Sequence, residues 1–295
     1  MAPVELSDLS TLFGVDGLVA VVTGGATGIG LMIATALESN GAIVYIVSRN
    51  QENLDRAVRE HSHRGNLIAL QGDVTDRESL KAVTETIQAR HGYVNLLINN
   101  AGIVRNVLPT PLPPPAPGAT TDVDGIVALQ DLLWNAGTPE DFDTTFRVNT
   151  TAAFYCSVAF LRLLHAANLR TSTSQGGTSQ VITISSGASF RKDGHTSVSY
   201  SLSKIAVTHL GKSLAHMLKD WNIRSNVIAP GLFPSDMTTN VTEETVKRMV
   251  PAGRMGDIND IGGLVLFLAS KAGSYVNGVA HIIDGGRLTL FPSVY

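Results

Sequence analysis

Tyr200 and Lys204 stand four positions apart in Tyr200-Ser201-Leu202-Ser203-Lys204. On a helix that spacing puts both side chains on one face. A free phenol has a pKa of about 10. A lysine cation beside it stabilises the phenolate and lowers that value, which makes the phenol a usable acid or base near neutral pH. The chemistry expected of the pair is proton transfer at a substrate oxygen. Ser186, at the end of an apolar run and fourteen positions before the tyrosine (200 − 186), offers a hydroxyl to hold a carbonyl.

A second group of residues has the chemistry of a dinucleotide site. Directly after the apolar run Leu18–Val22 comes Thr23-Gly24-Gly25-Ala26-Thr27-Gly28-Ile29-Gly30, then a helical stretch. Glycine there permits positive φ and lets backbone approach a phosphate. The helix N-terminus supplies free N–H groups and the positive end of its dipole. The spacing Gly24-x-x-x-Gly28-x-Gly30 departs from G-x-G-x-x-G, so the expectation rests on its place between a strand and a helix. The next strand tip, Val47-Ser48-Arg49-Asn50, lacks the acid that bonds the ribose 2′-hydroxyl of NAD. Arg49 can fork onto a 2′-phosphate instead. NADP(H) is therefore the expected cofactor, against the plain alternative of a solvated surface arginine. Asp73, in Gly72-Asp73-Val74, is placed for the adenine, and Asn99-Asn100-Ala101-Gly102 for the adenosine ribose. Turn chemistry favours the same residue types, and both readings stand at this point.

These residues need elements to position them, and the sequence supplies short strand-like runs alternating with helical stretches. The strands expected are Leu18–Val22, Ile43–Val47, Leu67–Leu70, Val94–Ile98, Val181–Ile184, Asn226–Ala229 and Val279–Ile283. The helices expected are Leu31–Ser39 ended by Gly41, one opened by a Thr75–Glu78 capping box and running to about His91, one opened by Thr138-Pro139-Glu140-Asp141, then Ala152–Ala167 and Ser199–Leu218. Apolar strands without polar alternation, separated by helices, imply a parallel sheet covered on both faces. The pattern continues without a break, so the expectation is α/β: one Rossmann-like, doubly wound domain spanning 1–295.

Two segments interrupt the pattern. Asn106–Ala119 holds six of the twelve prolines and reads as an extended, polyproline-like surface loop, part of an insertion at about 106–137. It covers a pocket, meets a partner or is inert; an SH3-type ligand role is the weakest of these readings. Thr171–Gln180 is rich in Ser, Thr, Gly and Gln and reads as a mobile loop.

Taken together these segments resemble the short-chain dehydrogenase/reductase family over about Leu18–Gly286. The glycine motif, Asn99–Gly102, Asn149, Ser186, Tyr200 with Lys204, Pro230-Gly231 and Asp284-Gly285-Gly286 carry the resemblance in order. It implies a catalytic set of Asn149, Ser186, Tyr200 and Lys204. Tyr200 would protonate a carbonyl oxygen as hydride arrives from NADPH. Ser186, rather than its neighbour Ser185, would hold the carbonyl. Lys204 would also bond the nicotinamide ribose, and Asn149 would bend a helix and hold a water on the lysine. The implied cofactor contacts are Gly24, Thr27, Gly28, Ile29, Gly30, Ser48, Arg49, Asn50, Asp73, Val74, Asn100, Ala101, Gly102, Tyr200, Lys204, Pro230, Gly231, Phe233 and Thr238. Within the family, Asn226–Gly231 followed by Phe233-Pro234-Ser235 and Met237-Thr238 looks like NADPH-dependent β-ketoacyl reductases, including the rhamnolipid-pathway type. The stretch to about Gly256 would be a substrate lid. Its apolar Leu232, Phe233, Met237 and Met249 point either to a hydrophobic substrate or to packing of the lid on its own body. The 47 positions from Gly102 to Asn149 exceed the usual family spacing, and the insertion accounts for much of the excess.

The family implies a homotetramer or homodimer through the helices carrying Asn149 and Tyr200, with the tail Leu288–Tyr295 as a candidate to cross the interface. Related readings are an NADP-dependent alcohol dehydrogenase working oxidatively and a non-catalytic NADP-binding regulator. Composition excludes other classes: charged residues are 16% and net charge is −3, which argues against nucleic-acid partners. The single cysteine, Cys156, lies in an apolar run and reads as a buried hydrophobe, and no metal site is expected. The start Met1–Leu12 lacks the pattern of a signal peptide, and no apolar run reaches the ~18 residues of a membrane span. A small carbonyl compound as substrate and a cytoplasmic location are the expectations.

Overall fold

All seven expected strands form, and they join one parallel sheet: β1 (Val19–Thr23), β2 (Ile43–Ser48), β3 (Leu67–Gln71), β4 (Leu96–Asn99), β5 (Gln180–Ile184), β6 (Arg224–Pro230) and β7 (Ala280–Ile283). The computed structural model describes residues 8–109, 112–118, 121–170, 177–193 and 197–294. The strand order is β3-β2-β1-β4-β5-β6-β7, and every neighbouring pair is parallel. The chain winds outward from β1 to β3, then returns to β4 on the other side of β1. That reversal opens a crevice at the carboxyl ends of β1 and β4, where doubly wound sheets bind ligands.

The helices are α1 (Leu9–Phe13), α2 (Gly28–Ser39), α3 (Gln51–His61), α4 (Arg77–Arg90), α5 (Val123–Trp134), α6 (Pro139–Phe146), α7 (Ala152–Ala159), α8 (Leu161–Asn168), α9 (Val198–Met217), α10 (Glu243–Met249) and α11 (Ile258–Ala269). Successive residues of a strand point to opposite faces. In β1, Ala20 and Val22 join one core with Ile33, Leu37 and Val265, while Val19 and Val21 join a second with Ile87, Leu163 and Leu214. Both faces are covered, which is why β1 carries no polar alternation. Each such aliphatic side chain contributes about 1.5–3 kcal/mol on burial.

The structure corrects several expectations. Thr75 does not cap α4: its N–H and Oγ1 both bond Asp73, and Asp76 caps the helix by accepting from Glu78 N. Ala152–Ala167 is two helices, not one. The break falls at Phe160 (φ −89°, ψ −3°), whose side chain is buried in the core. The 106–137 segment is not loop throughout, because α5 fills its second half. Asp122 caps that helix through Gly125 N at 2.8 Å and also takes Ala116 N, folding the proline stretch back on the helix start. The polar helix α3, capped by Asn50, shows only Leu54 and Ala57 buried, too thin an apolar stripe to be read in advance. The expected cap at Thr138 forms as a reciprocal capping box with Asp141. Most of the expected mobile loop, 171–176, lies outside the described residues, and Gln180 belongs to β5. The C-terminal tail pairs with its own chain: Val294 N donates to Phe190 O and Lys192 N to Pro292 O. Among the described residues no helix is long and apolar enough to cross a membrane.

Candidate active site

Tyr200 sits in the first turn of α9. Ser197 caps that helix, its Oγ accepting from Tyr200 N at 3.1 Å. The Tyr200 hydroxyl lies near enough to Ser186 for the serine to favour the phenolate. Ser186 leaves β5 in extended backbone and starts a tight turn, with its Oγ accepting from Ala188 N at 3.1 Å. Its neighbour faces elsewhere: Ser185 Oγ is buried against Lys204 O (3.0 Å) and Thr208 Oγ1 (2.5 Å). The pleat thus separates two adjacent serines, one into the crevice and one into the packing of α9.

Lys204, one turn after Tyr200, is buried, and its Nζ donates to Ile184 O at 2.9 Å. Nζ lies 5.7 Å from the centre of the Tyr200 ring. Burial lowers the Lys204 pKa to about 8. The expected depression of Tyr200 is not found. Burial pushes the phenol above its ordinary value, and the nearby Ser186 hydroxyl only partly offsets this.

Asn149 lies in a π-helical turn, Arg147–Thr151, between α6 and α7. Its Oδ1 accepts from Ile103 N (2.8 Å), and its Nδ2 donates to Ile103 O (2.9 Å) and Ser203 Oγ (3.0 Å). Ser203 Oγ in turn donates to Tyr200 O at 2.7 Å. A β-carbon on Gly102 would stand 3.3 Å from Asn149 Oδ1 and 3.4 Å from Lys204 Nζ, so the end of the Asn99–Gly102 segment lies between those two side chains. The four candidate catalytic residues therefore meet at one place, over the carboxyl ends of β4 and β5.

The glycine turn lies beside them. Gly24 (φ +62°) and Gly28 (φ +52°) are left-handed. A β-carbon on Gly30 would stand 2.2 Å from Gly24 O and 2.4 Å from Asn100 Nδ2. Asn100 Nδ2 donates to Thr23 O and Gly24 O, both at 3.0 Å, so this residue clamps the turn. Thr23 Oγ1, not anticipated from sequence, accepts from Asn100 N and Ala101 N and ties β1 to β4. Thr27 precedes α2 without a side-chain cap, so the first-turn N–H groups of a twelve-residue helix face the crevice. Bare helix N–H groups behind a turn where no side chain fits suit the pyrophosphate of a dinucleotide.

The adenosine end is as open as the phosphate end is tight. Arg49 is exposed at the tip of β2, between Ser48 and the capping residue Asn50. Asp73 feels its charge: burial pushes the Asp73 carboxyl up, but hydrogen bonds from Thr75 and the Arg49 and Arg147 charges hold it below the ordinary value. Val74, next to it, is buried with Ala152 and Cys156. On the opposite rim, Gly231 packs on Asp284, where a β-carbon would come within 2.7 Å of Asp284 Cα. Thr238 Oγ1 donates to Phe233 O at 2.8 Å and accepts from Ser235 N at 2.9 Å. The Phe233 ring is buried against Gly256, so packing of the lid on its own body is the outcome at that position. Ser235, missed in the sequence, is the lid residue nearest the glycine turn, 3.2 Å from where a Gly28 β-carbon would be. Cys156 is buried and its thiol is pushed up to about 12. Among the described residues no cluster of three His, Cys, Asp or Glu could hold a metal ion.

Comparison with known proteins gives this geometry a lineage. The short chain dehydrogenase profile matches residues 18–246. The chain is 44% identical over 292 residues to the short-chain dehydrogenase/reductase PhomF of Diaporthe leptostromiformis, covering 96% of each. It is 30% identical to the 3-oxoacyl-[acyl-carrier-protein] reductase FabG of Thermotoga maritima, over 92% of this chain and 98% of that one. Among solved structures, Pseudomonas aeruginosa RhlG in its NADP active-site complex superposes with a TM-score of 0.77 at 28% identity, over 94% of this chain and 99% of that one. A sheet of this order, a crevice of this make-up and likeness along nearly the full length have one common explanation: the chain belongs to the short-chain dehydrogenase/reductase family, a family of oxidoreductases acting on CH–OH and C=O groups.

Proposed function

We propose that the chain reduces a ketone to a secondary alcohol with NADPH. The observation that carries this reading is the convergence of Tyr200, Ser186 and the buried Lys204, whose Nζ stands 5.7 Å from the Tyr200 ring centre. The two hydroxyls form a fork for one carbonyl oxygen. Ser186 donates to that oxygen and fixes its direction, and Tyr200 hands over its phenolic proton as negative charge develops there. The Lys204 cation supports the phenolate left behind. A bound dihydronicotinamide supplies the hydride. Ile103, Asn149 and Ser203 hold the peptide of Tyr200 in place. A phenol kept protonated by burial suits the reductive direction more than the oxidative one, which uses the same residues as an alcohol dehydrogenase. A non-catalytic NADP-binding regulator has no need of the complete set.

Arg49, in place of an acid at the β2 tip, supports NADP(H) over NAD(H), as does the likeness to RhlG, which is seen with NADP. Gly24, Thr27–Gly30, Ser48–Asn50, Asp73-Val74, Asn100–Gly102, Pro230-Gly231, Phe233 and Thr238 are proposed as the cofactor cradle. A groove of about 800 Å³ between α5, α6 and the start of α9, walled by Leu108, Leu133, Trp134 and Phe142, favours a hydrophobic, β-ketoacyl or polyketide-like substrate. The whole chain is proposed as one catalytic domain acting in the cytoplasm. Exposed Tyr155, Val158, Leu202 and Ile205 on α7 and α9 support a homodimer or homotetramer through those helices.

The test is loss of the dihydronicotinamide absorbance with a panel of ketones and β-ketoacyl thioesters, with NADH in parallel. Turnover with NADPH should fall about 10²–10⁴-fold in Tyr200→Phe. Tight NADPH binding with no turnover on any ketone would overturn the reading.

A further inference from the structure

We propose that Asn106 is a positioning residue: it ties both roots of the 106–137 insertion to the first turn of α9 and so fixes where the Tyr200 phenol stands. This rests on the reading of Tyr200 as the proton donor.

Asn106 is one of two non-glycine residues with positive φ among the described residues (φ +50°). Asparagine tolerates the left-handed region better than most residues, and here the turn aims its amide at two elements. Oδ1 accepts from Ser199 Oγ at 2.9 Å, inside α9 and one residue before Tyr200. Nδ2 reaches Thr138 O at 3.5 Å, at the far root of the insertion. The approach is close enough that a β-carbon on Gly137 would stand 2.1 Å from Asn106 Nδ2. Gly137 stands at φ +124°, which disfavours any side chain at that root, and the Asn106 amide fills the space one would need.

Beside it runs a parallel tie. Ser197 Oγ donates to Arg105 O at 2.6 Å while accepting Tyr200 N at 3.1 Å, and Val107 and Ser197 form an antiparallel bridge. Ser197 and Ser199 are fully buried, so these bonds are shielded from competing water. The next residues upstream are held from the other side, where Asn149 grips both backbone groups of Ile103 and reaches Tyr200 O through Ser203. The Tyr200 turn is thus clasped between residues 103 and 107. Asn106 is the member of the clasp that also holds the insertion closed.

The experiment compares Asn106→Ala, Asn106→Asp, Ser199→Ala and the Ala/Ala double variant for kcat, KM and NADPH affinity. In parallel, the ultraviolet titration of tyrosine is measured, with Tyr200→Phe subtracted to isolate Tyr200. Asn106→Ala should lower kcat by about tenfold, since sub-ångström misplacement of a reacting group is enough for that, with NADPH affinity unchanged. Its Tyr200 should ionise at lower pH, because a loosened first turn is less buried. Asn106→Asp keeps an acceptor for Ser199 and should recover most of kcat. The double variant should be no worse than Asn106→Ala, because both changes break one interaction. Wild-type kcat with an unmoved Tyr200 titration, equal losses in the Ala and Asp variants, or additive losses in the double variant would each overturn the proposal. Should Asn106→Ala not fold, Asn106→Gly keeps the left-handed backbone without the amide and is held to the same outcomes. A wild type that reduces no ketone would sink the reductase reading alone, since the tyrosine titration tests the clasp without turnover.

Discussion

Replacing Gly30 by alanine probes the glycine turn with a single methyl. Its β-carbon would stand 2.2 Å from Gly24 O and 2.4 Å from Asn100 Nδ2, whereas ordinary contact begins at 3.4 Å. The turn must therefore open by about 1.2 Å (3.4 − 2.2) against backbone that has little slack. Opening it strips Asn100 Nδ2 from Thr23 O and Gly24 O, both at 3.0 Å. Two partly buried hydrogen bonds at about 1 kcal/mol each, plus the strain of the displacement, give about 2–4 kcal/mol. If that loss falls on the cofactor-binding form, NADPH affinity drops about 30- to 1000-fold. Fluorescence titration of NADPH measures it, with circular dichroism to confirm the fold. Gly263→Ala is the control: Gly263 lies on the exposed face of α11 with nothing within 4 Å of an added β-carbon. There alanine should raise stability by about 0.5–1 kcal/mol and leave NADPH binding alone. NADPH affinity within threefold of wild type in Gly30→Ala would refute the reasoning that this contact shapes the site.

Two further predictions follow from buried charges. With burial lowering Lys204 to about 8, the cation is present below that pH and lost above it, so kcat/KM for ketone reduction should fall as pH rises through about 8; a flat profile through that range would show that Lys204 stays charged in the working enzyme. Glu38 is buried on α2, where its carboxylate accepts from Arg64 N (2.6 Å), His63 N (3.0 Å), Asn66 N (3.2 Å) and Ser62 Oγ (3.2 Å). Burial pushes Glu38 up, but the Arg64, Asn66, His63 and Ser62 hydrogen bonds more than offset it and leave the carboxyl below its ordinary value. A depressed folded-state value stabilises above the unfolded pKa of about 4.3 and is lost as pH falls through the lower folded value. Glu38→Gln should cost about 2–3 kcal/mol at neutral pH and flatten the acid limb of the stability curve, which denaturant melts at several pH values measure.

The parts legible in the sequence are those where one physical rule acts alone. Strands buried on both faces announce themselves as unbroken apolar runs, and Thr138-Pro139-Glu140-Asp141 capped the helix it was expected to cap. The candidate residues came from order along the chain, and the structure brings Asn149, Ser186, Tyr200 and Lys204 together. What was not legible depends on competition between neighbours. Asp73 and Asp76 both sought the α4 start, and Asp73 took Thr75 out of the contest. The proline-rich stretch masked α5, because its cap Asp122 follows the prolines. Phe160 breaks a helix with no proline or glycine to signal it, since only the core knows where that ring must go. The balance at Tyr200 likewise depends on burial, which spacing alone does not carry.

The near contact between Asn106 and Gly137 has a consequence for how this chain can vary. The insertion leaves and re-enters the body at almost one point, so added length in its proline-rich part, away from Leu108 and α5, enters the stability chiefly through loop-closure entropy. Each doubling of a flexible loop costs about 0.6 kcal/mol. Among the described residues none of the seven sheet strands lies between those two residues, although Val107 bridges Ser197 and α5 fills the second half. The proline-rich part between Leu108 and the Asp122 cap is therefore a port at which shorter, longer or foreign sequence can be spliced while the parallel sheet keeps its register. Diversity at that part of the rim is only weakly coupled to the sheet beneath it.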